Sequence, residues 1–157
     1  MTPAATTTTT TTTEEIAAGT MDRDTARALA GSFAETLNSG DVDRFDAFIA
    51  DDYVNHNAFV APGRAGAKAF FAEFLDAFPD LRVTVEDARA DGDTVVGRYT
   101  YRGTHQGTFL GIPATGHAVT MRSIDIWRVR DGLFVEHWDE LNTLEVFQQL
   151  GIIPPLG

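Results

Sequence analysis

The sequence predicts an α+β domain in which helices cover one face of a curved, mostly antiparallel sheet, with room for a pocket between the two layers. Three observations carry that prediction. Apolar residues recur at helical spacing through the first half of the chain, from Ala26 to Phe78. After Pro79-Asp80 the period switches to two, with Leu81, Val83 and Val85 opening a run of alternating residues. Asp91-Gly92-Asp93 and Arg130-Asp131-Gly132 then punctuate that run as hairpin turns, because Asp and Gly supply the positive-φ positions a tight turn needs. Helices first and antiparallel strands second is the order of an α+β domain.

Taken in order, residues 1–20 are threonine-dominated and of low complexity. Such a segment buries too little apolar surface to offset its ordering entropy, so a disordered tail is expected there and the folded domain over residues 21–157. Ala26, Leu29, Ala30, Phe33 and Leu37 form one helix, ended by Asn38-Ser39-Gly40. Asp41 reads as the N-cap of a second, shorter helix carrying Val42, Phe45, Phe48 and Ile49. Residues 51–66 are polar and rich in turn formers, and read as a loop. A third helix is expected over residues 65–77, with Phe70, Phe71, Phe74, Leu75 and Phe78 on its core side. Strands follow from Leu81 towards Ala90 and from Thr94 to Thr104. A glycine- and proline-bearing loop then leads to the hairpin of residues 121–142. Thr143 is placed as the cap of a last helix over residues 144–150.

At 157 residues the chain is one domain's worth, and a domain of that size can enclose a pocket. With 23 acidic against 12 basic residues, its net charge of −11 argues against nucleic acid and anionic membrane surfaces as partners. The absence of cysteine excludes disulfides, thiol nucleophiles and cysteine-based zinc sites. No apolar run approaches the roughly 18 residues of a membrane span, and no basic-then-apolar leader opens the chain. A cytoplasmic location is the expectation.

The hairpin holds the candidate chemistry. Strand alternation puts Ser123, Asp125 and Trp127 on one face of its first strand. On the second it puts Val135, His137 and Asp139 on one face, and Phe134, Glu136 and Trp138 on the other. Neither face is purely apolar, whereas a sheet with one solvated side normally alternates cleanly. The mixture points to a cavity holding Asp125, His137 and Asp139.

Between Phe33 and Gly151 the chain resembles the SnoaL-like polyketide cyclases, or ester cyclases, of the nuclear-transport-factor-2-like superfamily. Asp52-Tyr53-Val54-Asn55-His56 carries the likeness, as do the loop from Thr104-His105-Gln106-Gly107 to Gly111-Ile112-Pro113-Ala114-Thr115-Gly116, Arg130-Asp131-Gly132, and Glu136-His137-Trp138-Asp139. The resemblance covers residues 22–151 and implies a cone-shaped barrel. It further implies an intramolecular aldol condensation of a polyketide-type small molecule, without metal or organic cofactor, by a homodimer or homotetramer. The family's acid/base aspartate falls on Asp139, and Asn55 matches a polar pocket residue. The chain departs from the family pattern in having Asp125 where some members have histidine, and Asn142 where the family often has aspartate.

A free aspartate, with a pKa of about 3.9, is a weak base for a carbon acid, and enclosure beside another negative charge raises it. Asp139 is therefore the expected acid/base; a structural carboxylate is the plainer alternative. His137 either assists it or is structural. Asp125 is either its like-charged neighbour or the partner of a cation such as Arg122. Asn55 or His56 is expected to bond a substrate oxygen, with Asn55 favoured. Tyr53, Tyr99, Trp127 and Ser123 are candidate substrate contacts, with core the plainer reading of Tyr53, Tyr99 and Trp127. His105 and His117 are expected to be structural or solvent-facing. No histidine or carboxylate pair has metal-ligand spacing, so no metal is expected. An isomerase, an epoxide hydrolase and a non-catalytic binding or dimerisation module are the rival functions.

Overall fold

The structure, a computed structural model, describes residues 21–155; the threonine-rich segment 1–20 lies outside the described residues. Helix α1 (Arg23–Ser39) starts where the Asp22 side chain accepts from the Thr25 amide at 2.7 Å. It ends at Gly40, whose φ of 73° is the left-handed conformation that favours glycine. Its Ala26, Ala30, Phe33, Ala34 and Leu37 are buried, as their three- and four-residue spacing requires. Next come a 3₁₀ helix (Val42–Ala47), strand β1 (Ile49–Asn55) and helix α2 (Gly63–Ala77). Strands β2 (Arg82–Asp91), β3 (Thr94–Thr104), β4 (Ala118–Arg130) and β5 (Leu133–Leu141) follow, and helix α3 (Thr143–Gln149) closes the order.

The five strands form one curved sheet in the order β1-β5-β4-β3-β2. All neighbours are antiparallel except β1, which lies parallel to β5. The sheet is not closed, so the barrel is an open cone with β1 and β2 at its edges. Helix α1 packs against β2 and β3, and α2 against β1 and the 3₁₀ helix. The core between helices and sheet is largely aromatic. Phe33 sits at its centre, with ring centroids 5.3 Å from Phe71, 5.5 Å from Tyr99 and 5.6 Å from Trp127.

Four details depart from the sequence reading. The second helix is a 3₁₀ turn ending at Ala47, and Phe48 and Ile49 lead out of it into a strand. Residues 51–55, expected as loop, belong to β1. A register shift between Ile49 and Val54 breaks the alternation, and the exposed Asp51 and Asp52 mask it further. In β5 the register slips by one residue opposite Arg128 and Val129, which leaves Val135 as the extra residue of a bulge. Phe134 therefore points inward together with His137, rather than opposite to it, and both rings stack on Trp127, at 4.7 and 5.1 Å. Finally, Asn142 rather than Thr143 occupies the cap position of α3. The β4–β5 turn is as expected, with Asp131 and Gly132 at φ 53° and 77°.

Gly97 on β3 faces this packing. A Cβ there would lie 2.6 Å from Tyr99 Cε2 and 3.0 Å from Trp127 Cζ3, two buried rings. Gly97→Ala is expected to cost about 1–3 kcal/mol of stability, read as a lowered urea midpoint at unchanged m-value.

Candidate active site

Strands β4, β5 and β1 converge on His137. Its register partner on β4 is Trp127, and Asp125 lies diagonally across from it. On the other side Asn55 of β1 is its partner in the parallel pairing. His137 Nε2 meets Asp125 Oδ1 at 2.9 Å, and Nδ1 meets Asn55 Oδ1 at 3.3 Å. The imidazole lies between two aromatic rings, Trp127 at 5.1 Å and Tyr53 at 6.2 Å, both nearly parallel to it.

The protonation pattern follows from the partners. Asn55 Oδ1 also accepts from the backbone N–H of Asn57 at 2.9 Å, which identifies it as the amide's oxygen. His137 Nδ1 must then donate to it. Nε2 faces Asp125 Oδ1. The other Asp125 oxygen accepts from Ser123 Oγ, and the Tyr101 hydroxyl lies 3.2 Å from Ser123. Burial and the nearby Asp125 charge push the Tyr101 hydroxyl well above its ordinary range, so it stays protonated and heads this chain as a donor.

Asp139 lies directly opposite Asp125 in the β4–β5 pairing. Its partner is Asn57, whose Nδ2 donates to both carboxylate oxygens, at 3.1 and 3.0 Å. Burial holds the Asp139 carboxyl above the usual carboxylate range. His137 opposes that shift, Asp125 adds to it, the Asn57 bonds oppose it and Glu140 adds a little.

These groups face a small pocket between the helices and the sheet. Asn55, Asn57, Asp125, His137 and Asp139 form its polar wall, and Phe33, Phe70, Phe71, Phe74, Phe109 and Met121 are among its apolar residues. A second, outer cleft shares Asn57, Phe70, Phe109, Asp139 and Leu141 with the cavity. Asp139 thus stands at the junction of an apolar interior and an outer vestibule. The loop 105–117 contributes Phe109 to both.

The structure brings together Asp125, His137, Asp139 and Asn55 of the residues singled out from sequence. It places the others elsewhere. Tyr53, Tyr99 and Trp127 lie in the core behind the cavity rather than on its wall, as the ring contacts of Phe33 and His137 require. Ser123 touches Asp125 and not the open space. His56 points out to the vestibule, stacked on Trp138 at 4.8 Å and bonded to Glu136 at 3.0 Å. Arg122 pairs with Glu145, so it is not the partner of Asp125. His105 is fully buried and bonded to Thr115, and His117 is exposed and bonded to the carbonyl of Gln149.

Sequence reasoning missed Asn57 and Tyr101 and assigned the α2 phenylalanines to core alone. Asn57 repeats the Asn-x-Asn spacing with Asn55, a signal that was present but reads equally as turn chemistry. Among the described residues no group of three or more His, Cys, Asp or Glu side chains is arranged to hold a metal ion. No described helix is long and apolar enough to cross a membrane.

Known proteins are similar to this chain in sequence and in fold. The model of the SnoaL-like polyketide cyclase family matches residues 27–150. The aklanonic acid methyl ester cyclase DnrD of Streptomyces peucetius is 30% identical over 128 residues, covering 78% of this chain and 88% of DnrD. DauD of Streptomyces sp. (strain C5), an aklanonic acid methyl ester cyclase too, is also 30% identical and is covered over 80% of its length. Among solved structures, TsrD from Streptomyces laurentii superposes with a TM-score of 0.80 at 34% identity, over 85% of this chain and 99% of TsrD. AclR from Streptomyces galilaeus, described as a candidate hydroxylase, superposes with a TM-score of 0.76 at 29% identity, over 87% of each chain. The open cone, its length and these likenesses agree, and the chain belongs to the SnoaL-like polyketide cyclase family.

Proposed function

We propose that the protein closes a ring in a polyketide-type substrate by intramolecular aldol condensation, with Asp139 as acid and base. The observation that carries this reading is a carboxylate raised in pKa by burial at the mouth of an aromatic-walled cavity, with an amide donor across from it. Ionised Asp139 takes a proton from the carbon between two carbonyls, and the electron pair moves into the enolate. That carbon attacks a second carbonyl of the same molecule, and the alkoxide so formed recovers the proton from Asp139. Nothing is gained or lost overall, so the reaction is an isomerisation and needs no oxidant or cofactor.

Asn55 supplies the carbonyl donor in this scheme. Its oxygen is occupied by His137 and the Asn57 amide, which leaves its Nδ2, without a partner among the described residues, for the cavity. The phenylalanine walls suit a planar apolar substrate, a polyketide methyl ester of the kind named for DnrD and DauD. Holding such a chain in its ring-closing pose can supply about 7–11 kcal/mol of the barrier reduction. A homodimer or homotetramer is proposed to form through the outer sheet face, where Ile124 and Ile126 are exposed. Oxygen insertion is the second reading, favoured by the likeness to AclR. Mass spectrometry separates the two, because cyclisation leaves the product mass equal to that of the substrate.

Asp139→Asn is expected to lower turnover about a hundredfold or more with the fold retained, read by product formation and circular dichroism. Its stability effect has a definite sign. A carboxyl whose folded pKa lies above its unfolded value contributes stability that is full below the unfolded pKa and lost as pH rises through the folded one. At neutral pH the ionised Asp139 is therefore a liability, and Asp139→Asn should match or exceed the wild-type Tm at pH 7. For the wild type, kcat/KM should fall on acidification through a limb above the ordinary carboxylate range.

A further inference from the structure

We propose that Asn57 is the positioning residue of the site, aiming the Asp139 carboxylate and locking it in register with the Asn55 donor. The proposal rests on the reading of Asp139 as the base and adds a residue whose effect is exerted through it. Asn57 lies in the turn that follows β1, and four contacts determine its orientation. Its Oδ1 accepts from the Phe59 amide at 2.9 Å, and its backbone carbonyl accepts from the Val60 amide at 3.1 Å. With the oxygen engaged by the turn, the NH₂ end has one direction left, and it reaches both oxygens of Asp139. Its backbone N–H holds the oxygen of Asn55. A single residue thus joins the proton acceptor on β5 to the carbonyl donor on β1.

The contact matters because of where the carboxylate stands. Asp139 is half-buried, faces an apolar cavity and lies opposite Asp125, all of which disfavour its ionised form. The titratable groups around it are Asp125 from β4, His137 and Glu140 from β5, Tyr101 from β3 and Tyr53 from β1. Among the described residues no arginine or lysine forms an ion pair with it. His137 already gives its two ring nitrogens to Asp125 and Asn55. The neutral Asn57 amide is therefore the group that bonds the carboxylate directly. It keeps a share of the ionised form available while adding no charge that would tie the base up. An ion pair at this place would hold the carboxyl too acidic to recover a proton from carbon.

Two substitutions separate this role from a merely structural one, because both keep an acceptor for the Phe59 amide. Asn57→Ser removes the donors to Asp139 without a charge, and Asn57→Asp replaces them with a carboxylate. For Asn57→Ser, kcat near neutral pH is expected to fall about tenfold with KM changed less than about twofold, the acid limb of kcat/KM moving to higher pH and activity recovering under alkaline conditions. Asn57→Asp should move the limb further. Titration of the Asp139 carboxyl by ¹³C NMR should shift upward in both variants, independently of turnover. Limbs and titrations superimposable on the wild type, or a loss equal at every pH and matched by a fall in Tm, would overturn the proposal. If Asp139→Asn retains turnover, the base reading fails by itself, and the NMR titration still decides whether Asn57 governs that carboxyl.

Discussion

The buried bridge Asp125–His137–Asn55 is the constraint on which the site depends. Asp125 and His137 are 3% and 5% exposed, and neither could be left without a partner there at tolerable cost. Each satisfies the other, Ser123 takes the remaining carboxylate oxygen, and Asn55 takes the remaining ring nitrogen. The bridge crosses three strands, so it holds the edge strand β1 to the sheet by side chains as well as by backbone pairing. Stacking of the imidazole between Trp127 and Tyr53 fixes its plane. With His137 held at both ring nitrogens, Asn55 inherits a defined geometry, and Asn57 links it to Asp139.

The same aromatic residues form the core and the cavity wall. Phe33, Phe71 and Phe74 pack on one another and on Tyr99, Tyr101 and Trp127, yet they also line the open space. Stability and pocket shape are therefore coupled through close-packed side chains that sit in few rotamers. This wall also has an electrostatic consequence. It shields one side of Asp139 from water, and burial is the first cause of its raised carboxyl pKa. The protein tolerates a partly desolvated carboxylate at the junction of the cavity and the vestibule, a combination more useful to proton transfer than to folding.

Polar and apolar functions are divided by element. The helices supply only phenylalanine rings to the cavity, and β3, β4, β5, the end of β1 and the turn after it supply its hydrogen-bonding groups. Exchange of residues on α1, α2 or the loop 105–117 can reshape the space without touching the bridge. Relatives described by different activities, such as DnrD and AclR, are consistent with that separation.

The sequence by itself determined the α+β class, the order of the elements other than β1, the hairpin turns and the family. These follow from local periodicity, turn chemistry and short motifs, all of which act over a few neighbouring residues. It also singled out Asp125, His137 and Asp139, since polar residues on an otherwise inward strand face stand out against alternation, and Asn55 through its match to the family motif. Tertiary structure alone decided the rest. Strand β1 was hidden because a register shift broke its alternation and its partner lies some eighty residues away in the chain. The inward turn of Phe134 depended on a bulge that no single strand announces. Tyr53, Tyr99 and Trp127 became core and Asn57 became a neighbour of Asp139 for one reason: which side chains meet across a sheet depends on register, and register is set by pairing between distant segments.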